Sequence, residues 1–232
     1  MSIFNSIRSQ LAPVHPQGYP FIGGFALASL ILFWLWAPLG WLGTLATCWC
    51  AYFFRDPVRV TPLREGLLVA PADGHVSRVV NAVPPPELGL SAQPLPRISI
   101  FMSVFDCHVN RSPASGLIER MVYRPGAFIS ADLDKASEDN ERNAFIINTG
   151  RVRIGVVQIA GLVARRIVPF VQEGQAVSAG DRIGMIRFGS RLDVYLPQGA
   201  RALVAEGQTA IAGETVLADL ALMEPARNHR LS

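Results

Sequence analysis

Three short stretches carry side chains that could do covalent or proton-transfer chemistry. The first is Arg187-Phe188-Gly189-Ser190-Arg191, set between two apolar runs with no turn-forming cluster around it. Glycine ahead of serine lets the backbone strain until the serine oxygen reaches the preceding carbonyl. The same pair can equally be a turn. The second is Asp106-Cys107-His108-Val109-Asn110-Arg111-Ser112-Pro113, which follows an apolar strand signal. Of the four histidines, His15 precedes the long apolar segment and His229 lies in the tail, so His75 and His108 are the two inside the domain. A histidine at a strand end can act as general base or acid near neutral pH, or be a hydrogen-bonded structural group. The third is Ala70-Pro71-Ala72-Asp73-Gly74-His75-Val76. Asp-Gly reads as a hairpin turn, but Asp73 could also orient a histidine as the third member of a base relay.

The elements that must position these groups are short strands. From Pro62 onward, apolar runs are cut by Gly, Pro, Asp and Asn, as in 66–70, 97–102, 144–147, 152–157, 182–186 and 192–196. Pro84-Pro85-Pro86 and Pro94-Leu95-Pro96 mark a surface loop. Only Asp132 to Asn143 has any helical character, and it also reads as a polar loop. Glu173-Gly174-Gln175-Ala176-Val177-Ser178-Ala179-Gly180-Asp181 recurs as Glu206-Gly207-Gln208-Thr209-Ala210-Ile211-Ala212-Gly213-Glu214. Two such copies, each a short strand between glycine turns, are the equivalent corners of a small β-barrel or sandwich. Lipoyl- and biotinyl-carrier folds use corners of this kind. The expected fold class is therefore mainly β with minor α: a barrel-sandwich, lipoyl-like β domain behind an N-terminal apolar helical hairpin. A carrier would need its lysine on a hairpin tip, and the sole lysine, Lys135, lies outside the echo.

Half of the 232 residues are hydrophobic, and the excess sits in Phe21 to Phe54. No small-residue cleavage site follows this stretch, so it is not a removed signal peptide. Pro38 and Gly40 divide it into halves of about 16 residues, roughly 24 Å each as helix, which suits a hairpin dipping into or barely crossing a bilayer. Arg8 before it and Arg55, Arg59 and Arg64 after it place both ends on the cytoplasmic face. All four tryptophans fall inside the segment and favour the interface. Residues 1–60 are expected to be the membrane-associated hairpin and 61–232 the β-rich domain. The net charge of +3 is carried almost wholly by arginine, which binds phosphate and carboxylate bidentately and suits an anionic lipid surface. No basic cluster with interleaved aromatics points to nucleic acid. Cys48, Cys50 and Cys107 form neither a disulfide framework nor a metal spacing, so no metal is expected.

Taken in order, the motifs resemble the short-chain, archaeal-type (type A) class of phosphatidylserine decarboxylase proenzymes. The matching segments are Val14 to Pro20, Phe53 to Pro57, Pro71 to Gly74, Asp106 to Pro113, Leu133 to Asn143, Gln158 to Arg166 and Phe188 to Arg191. The resemblance implies that Ser190 attacks the Gly189 carbonyl and that the resulting ester eliminates. The chain would then divide into 1–189 and 190–232, held together as a heterodimer, and Ser190 would become a pyruvoyl group. That covalent cofactor, with no pyridoxal phosphate, would form a Schiff base with the serine amine of phosphatidylserine in the bilayer. It would draw off the electron pair left when carbon dioxide departs, and the product would be phosphatidylethanolamine. Asp73 and His108 are the implied relay that activates Ser190, and His108 is a candidate for the final protonation. Longer relatives carry a second histidine where this chain has Arg111, so one histidine serves both steps or His75 takes a share. In the Asp132 to Asn143 segment the resemblance implies a loop near the headgroup or pyruvoyl pocket. Either Arg165 or Arg166 could meet phosphate, since neighbours on a strand face opposite ways. The rival readings are a pyruvoyl enzyme for another amino acid and a membrane-anchored carrier without catalysis.

Overall fold

A computed structural model describes residues 12–126, 140–161, 166–187, 190–221 and 227. Lys135, most of the Asp132 to Asn143 segment, Arg165, Gly189 and His229 therefore lie outside the described residues. The chain separates into two compact units, Met1–Val58 and Arg59–Ser232.

The first unit holds two antiparallel helices, α1 (Tyr19–Leu35) and α2 (Ala37–Phe53). The break falls at Trp36, which is extended (φ −164°, ψ 121°), and not at Pro38 and Gly40 as the sequence suggested. Proline lacks an N–H to offer and fits the first turn of a helix, so Pro38 starts α2. Gly40 lies inside α2, where a Cβ would collide with the Phe33 ring, so glycine there sets the close approach of the helices. Ser29 and Thr47 hydroxyls meet across the pair at 3.2 Å. Most other side chains face outward, among them Leu27, Leu30, Trp34, Trp41 and Leu45. Pro16–Leu35 is long and apolar enough to cross a membrane, with a mean hydropathy of 1.7.

The second unit is mainly β, as expected. Its described strands are β1 (Leu67–Val69), β2 (Gly74–Ala82), β3 (Leu95–Met102), β4 (Val109–Arg111), β5 (Gly116–Arg124), β6 (Arg142–Asn148), β7 (Arg153–Ala160), β8 (Arg166–Pro169), β9 (Ala176–Val177), β10 (Arg182–Arg187), β11 (Ser190–Tyr195), β12 (Arg201–Ala202), β13 (Thr209–Ala210) and β14 (Val216–Asp219). Pro96 belongs to β3 and not to a loop, and Asn140 to Asn143 lead into β6 and not into a helix. The large sheet runs β13-β2-β3-β11-β7-β6-β5-β9, and two three-stranded sheets run β1-β14-β12 and β4-β10-β8. Alternate residues such as Ile98, Ile100, Val156, Leu192 and Val194 bury into one shared core.

That strand order is a palindrome about the β11–β7 pair. β1, β2, β3, β11, β12, β13 and β14 correspond to β4, β5, β6, β7, β8, β9 and β10, with Val194 paired to Val156 at the axis. The hydrogen bonds repeat under the same correspondence. Gly207 N–H donates to Val76 O as Gly174 N–H does to Ile118 O, and Gly213 to Ala70 as Gly180 to Ser112. Val69 N–H reaches Pro113 O while Arg111 N–H reaches Pro71 O. Glu206 accepts from Val79 N–H beside a bulge in β2, and Glu173 accepts from Met121 N–H beside the matching bulge in β5. The corner glycines all have positive φ, between 78° and 85°, where L side chains are strained. The domain is thus an internal duplication, and the echo in the sequence is its most visible part. One half is continuous (109–187) and is nested inside the other (67–102 with 190–219). The insertion point, between β3 and β11, corresponds in the nested half to the short β6–β7 turn. The two seams of the insertion are the Ser103–His108 loop and the stretch from Arg187 to Ser190.

Candidate active site

Both seams carry residues the sequence singles out. Ser190 opens β11, hydrogen-bonded in register with Met102 of β3 and Ala160 of β7. It is fully buried, and its hydroxyl lies 3.9 Å from the Met102 sulfur. A thioether is a weak acceptor, so the hydroxyl is only loosely engaged there. The neighbouring Arg191 points to the other face and holds Asp193 through Nε at 2.9 Å and Nη2 at 3.2 Å. Burial, then the nearby Asp193 charge, push the Tyr195 phenol up. This buried polar group fixes which β11 face meets the core.

His108 closes the other seam and is also fully buried. Its carbonyl accepts from Ile186 N–H at 3.3 Å, which ties the two seams together. Its Nδ1 lies 3.0 Å from the Asp106 carbonyl oxygen. A carbonyl only accepts, so Nδ1 carries the proton in that bond and Nε2 is the basic nitrogen. Asp73 stands just before β2, where Gly74 (φ 143°) packs so tightly on Phe101 and Met102 that a Cβ would overlap the Phe101 carbonyl. Asp-Gly therefore begins a strand and is not a hairpin turn. The Asp73 carboxylate accepts from Arg59 Nη2 at 2.6 Å and from Ala212 N–H at 2.8 Å. His75 lies on the exposed side of β2 with its ring centroid 5.3 Å from that of Phe101. Arg111, at the position of the second histidine in longer relatives, donates to the Gly180 carbonyl at 2.9 Å.

The internal axis relates these groups to a single place in the other half. It carries His108 onto Gly66, Asp73 onto Ser115, Ser190 onto Val152, Met102 onto Thr149, Asn110 onto Leu68 and Arg187 onto Ala221. All six of those counterparts line a single cavity of about 680 Å³. Ser115 also repeats the backbone role of Asp73, accepting from Ala179 N–H at 3.0 Å. The end that carries His108, Asp73 and Ser190 is therefore the counterpart of this cavity, and the chemically capable groups stand at one of the two.

The sequence did not reveal a row of buried amides beside Ser190. Asn143 Nδ2 donates to Gln158 Oε1 at 3.0 Å, Gln158 Nε2 donates to Asn110 Oδ1 at 2.7 Å, and Asn110 Nδ2 points to the Met102 sulfur at 3.6 Å. The only available signal was amides within strand-like runs, which ordinarily mark a solvent face. A pair of cations was half seen: Arg166 of β8 stands opposite Arg187 of β10. Burial, then the Arg166 charge, push the Arg187 guanidinium down.

Comparison with known proteins agrees with the motif order. Residues 46–218 match the family model described as phosphatidylserine decarboxylase. A protein of Nitrobacter winogradskyi named phosphatidylserine decarboxylase proenzyme is 68% identical over 215 residues, covering 92% of this chain and 87% of the relative.

Proposed function

The chain belongs to the phosphatidylserine decarboxylase family, and we propose that it is a self-cleaving, pyruvoyl-dependent enzyme of the short-chain class that converts phosphatidylserine to phosphatidylethanolamine. The observation that supports this most is Ser190 itself. It is a fully buried serine at a strand start, loosely held on a thioether, at the seam where the nested half rejoins the outer one.

The cleavage uses the chain's own atoms. The Ser190 oxygen adds to the Gly189 carbonyl carbon while its proton passes to a base, which we assign to His108 Nε2. The C–N bond breaks as the Ser190 nitrogen takes a proton, leaving an ester. Loss of the Ser190 Cα proton then breaks the Cβ–O bond. Gly189 departs as a carboxylate, and residue 190 is left as an enamine. Tautomerisation and hydrolysis release ammonia and leave a ketone at the old Cα. Asp73, whose carboxylate is held by Arg59 and by Ala212 N–H, is assigned as the third member of the relay on the family resemblance.

The ketone supplies an electron sink for the substrate's amine-bearing carbon. The surrounding residues fit such a group: Ser190 is fully buried, and its core-side neighbours are apolar or amide. A carboxylate about to leave as carbon dioxide reacts best away from cations, because ion pairing would stabilise the ground state. The phosphodiester, which survives in the product, therefore belongs at Arg166 and Arg187. The axis puts Ala221 in place of Arg187, so the fold does not require that charge. The apolar helices and the arginine-rich flank suit attachment to the cytoplasmic face of a membrane, and the two pieces remain associated as a heterodimer.

Intact mass of the purified protein tests the proposal. Pieces 1–189 and 190–232 are expected, the smaller lighter by one ammonia than a serine-ended peptide. Ser190→Ala is expected to stay whole. A single uncut chain from cells that make phosphatidylethanolamine with it would overturn the reading.

A further inference from the structure

The amide row beside Ser190 is a departure from the pattern the fold itself sets. The axis carries Asn110 onto Leu68, Gln158 onto Leu196 and Asn143 onto Pro96. Where the other half packs Leu68 and Leu196 in its core, this half buries two amides in their place. Burying amides gains little stability over packed leucine, since each must be desolvated and then satisfied. The fold also makes room for them. Gly184 of β10 sits so close that a Cβ would lie 2.9 Å from Gln158 Nε2, and its counterpart in the other half is Ala218.

The row has a direction. A thioether has no proton to give, so the Asn110 end must present N–H to Met102. That orientation sets Gln158 and then Asn143, leaving Asn143 Oδ1 without a hydrogen-bond partner at the far end. An unpaired acceptor is tolerated better than an unpaired donor. Three aligned amides thus end, donor first, on the sulfur that also receives the Ser190 hydroxyl.

We propose that Asn143, Gln158 and Asn110 are positioning residues for self-cleavage, acting through Met102. The row pins a flexible thioether. The pinned sulfur in turn holds the Ser190 hydroxyl in its attacking position without engaging it strongly. This rests on the Gly189–Ser190 cleavage set out above.

The test transplants the other half's solution. Asn110→Leu with Gln158→Leu recreates the Leu68 and Leu196 pair, so the fold is expected to survive. Freshly synthesised chain is followed by gel for the appearance of the two pieces, alongside thermal unfolding. Cleavage at least tenfold slower than wild type, with an unfolding midpoint no lower, is the expected result. Loss of positioning of this kind can cost up to about a hundredfold. Cleavage at the wild-type rate would overturn the proposal. The uncut chain of the variant should also resist hydroxylamine, which cuts esters. Hydroxylamine-sensitive chain would put the defect after the acyl shift and overturn it too. Met102→Leu keeps the volume but removes the sulfur, and serves if the double variant does not fold. It should slow cleavage at least threefold, and a wild-type rate would sink the idea. Absence of cleavage in wild type, or cleavage of Ser190→Ala, would instead defeat the reading on which the proposal rests.

Discussion

The two ends of the β domain are built on one plan and differ in what they can do. At one end stand His108, Asp73, Ser190 and Met102. At the other stand Gly66, Ser115, Val152 and Thr149, around an open cavity. The shared hydrogen bonds identify what the fold needs: corner glycines with positive φ, bulge-capping glutamates, and a side-chain oxygen to accept from Ala212 or Ala179. A serine meets that last need at the other end. The imidazole of His108 and the amides of Asn110 and Gln158 exceed what the architecture asks for, and Asp73 brings a carboxylate, paired with Arg59, where the other end has a hydroxyl. A duplicated fold thus contains its own control, in which each chemical residue can be exchanged for its structural counterpart.

The largest effect is expected from Ser190→Val, the residue of the cavity end, which should abolish cleavage while near-ultraviolet circular dichroism stays native. Two pieces in that variant would break the comparison outright. His108→Ala should slow cleavage by about a hundredfold or more, the usual scale for losing a general base, as read from the decay of full-length chain. Asp73→Ser keeps an oxygen for Ala212 N–H but drops the charge. Cleavage should fall at least tenfold, by about 1.4 kcal/mol or more in barrier, with the melting temperature shifted by only a few degrees. If cleavage were unaffected, Asp73 would be no more than a second Ser115. Arg187→Ala should raise KM for phosphatidylserine several-fold in vesicle assays, with a smaller effect on cleavage. A change confined to kcat would remove the phosphodiester assignment. The smallest effect is expected from Ser115→Ala, about 1 kcal/mol of unfolding free energy for one hydrogen bond, with cleavage at the wild-type rate.

The sequence exposed the fold where the backbone is demanding. Gly174, Gly180, Gly207 and Gly213 must adopt positive φ, so both corners kept their letters and the echo could be seen. The rest of the duplication is nearly silent. Its strands need only alternate apolar residues and repeat backbone hydrogen bonds, neither of which preserves identity. Pro71-Ala72-Asp73-Gly74 and Pro113-Ala114-Ser115-Gly116 are the other trace, too short to stand out alone. β2 and β5 give weaker strand signals because each is half exposed and interrupted by a bulge, which spoils the alternation. In the hairpin, Pro38 reads as a break but is the start of the next helix. At the site, Gly189-Ser190 and His108 were legible from residue type and placement. Asn110 and Gln158 were not, because their burial comes from packing between distant strands. The Nδ1 bond of His108 to a local carbonyl depends on loop geometry and was likewise beyond sequence reading.

The position of β11 has a mechanical consequence. It lies between β3 and β7 and is hydrogen-bonded to both along its whole length, while β13 joins β2 and β14 joins β1. Severing the chain just ahead of Ser190 converts the last segment from a covalent continuation into a donated strand, seated in a slot with two raw edges. Its departure would strip two ladders and open the core at once, so on the proposed cleavage the segment would leave only as the domain unfolds. On that reading the peptide bond at the seam would be dispensable for holding the protein together, and so available to be spent on chemistry.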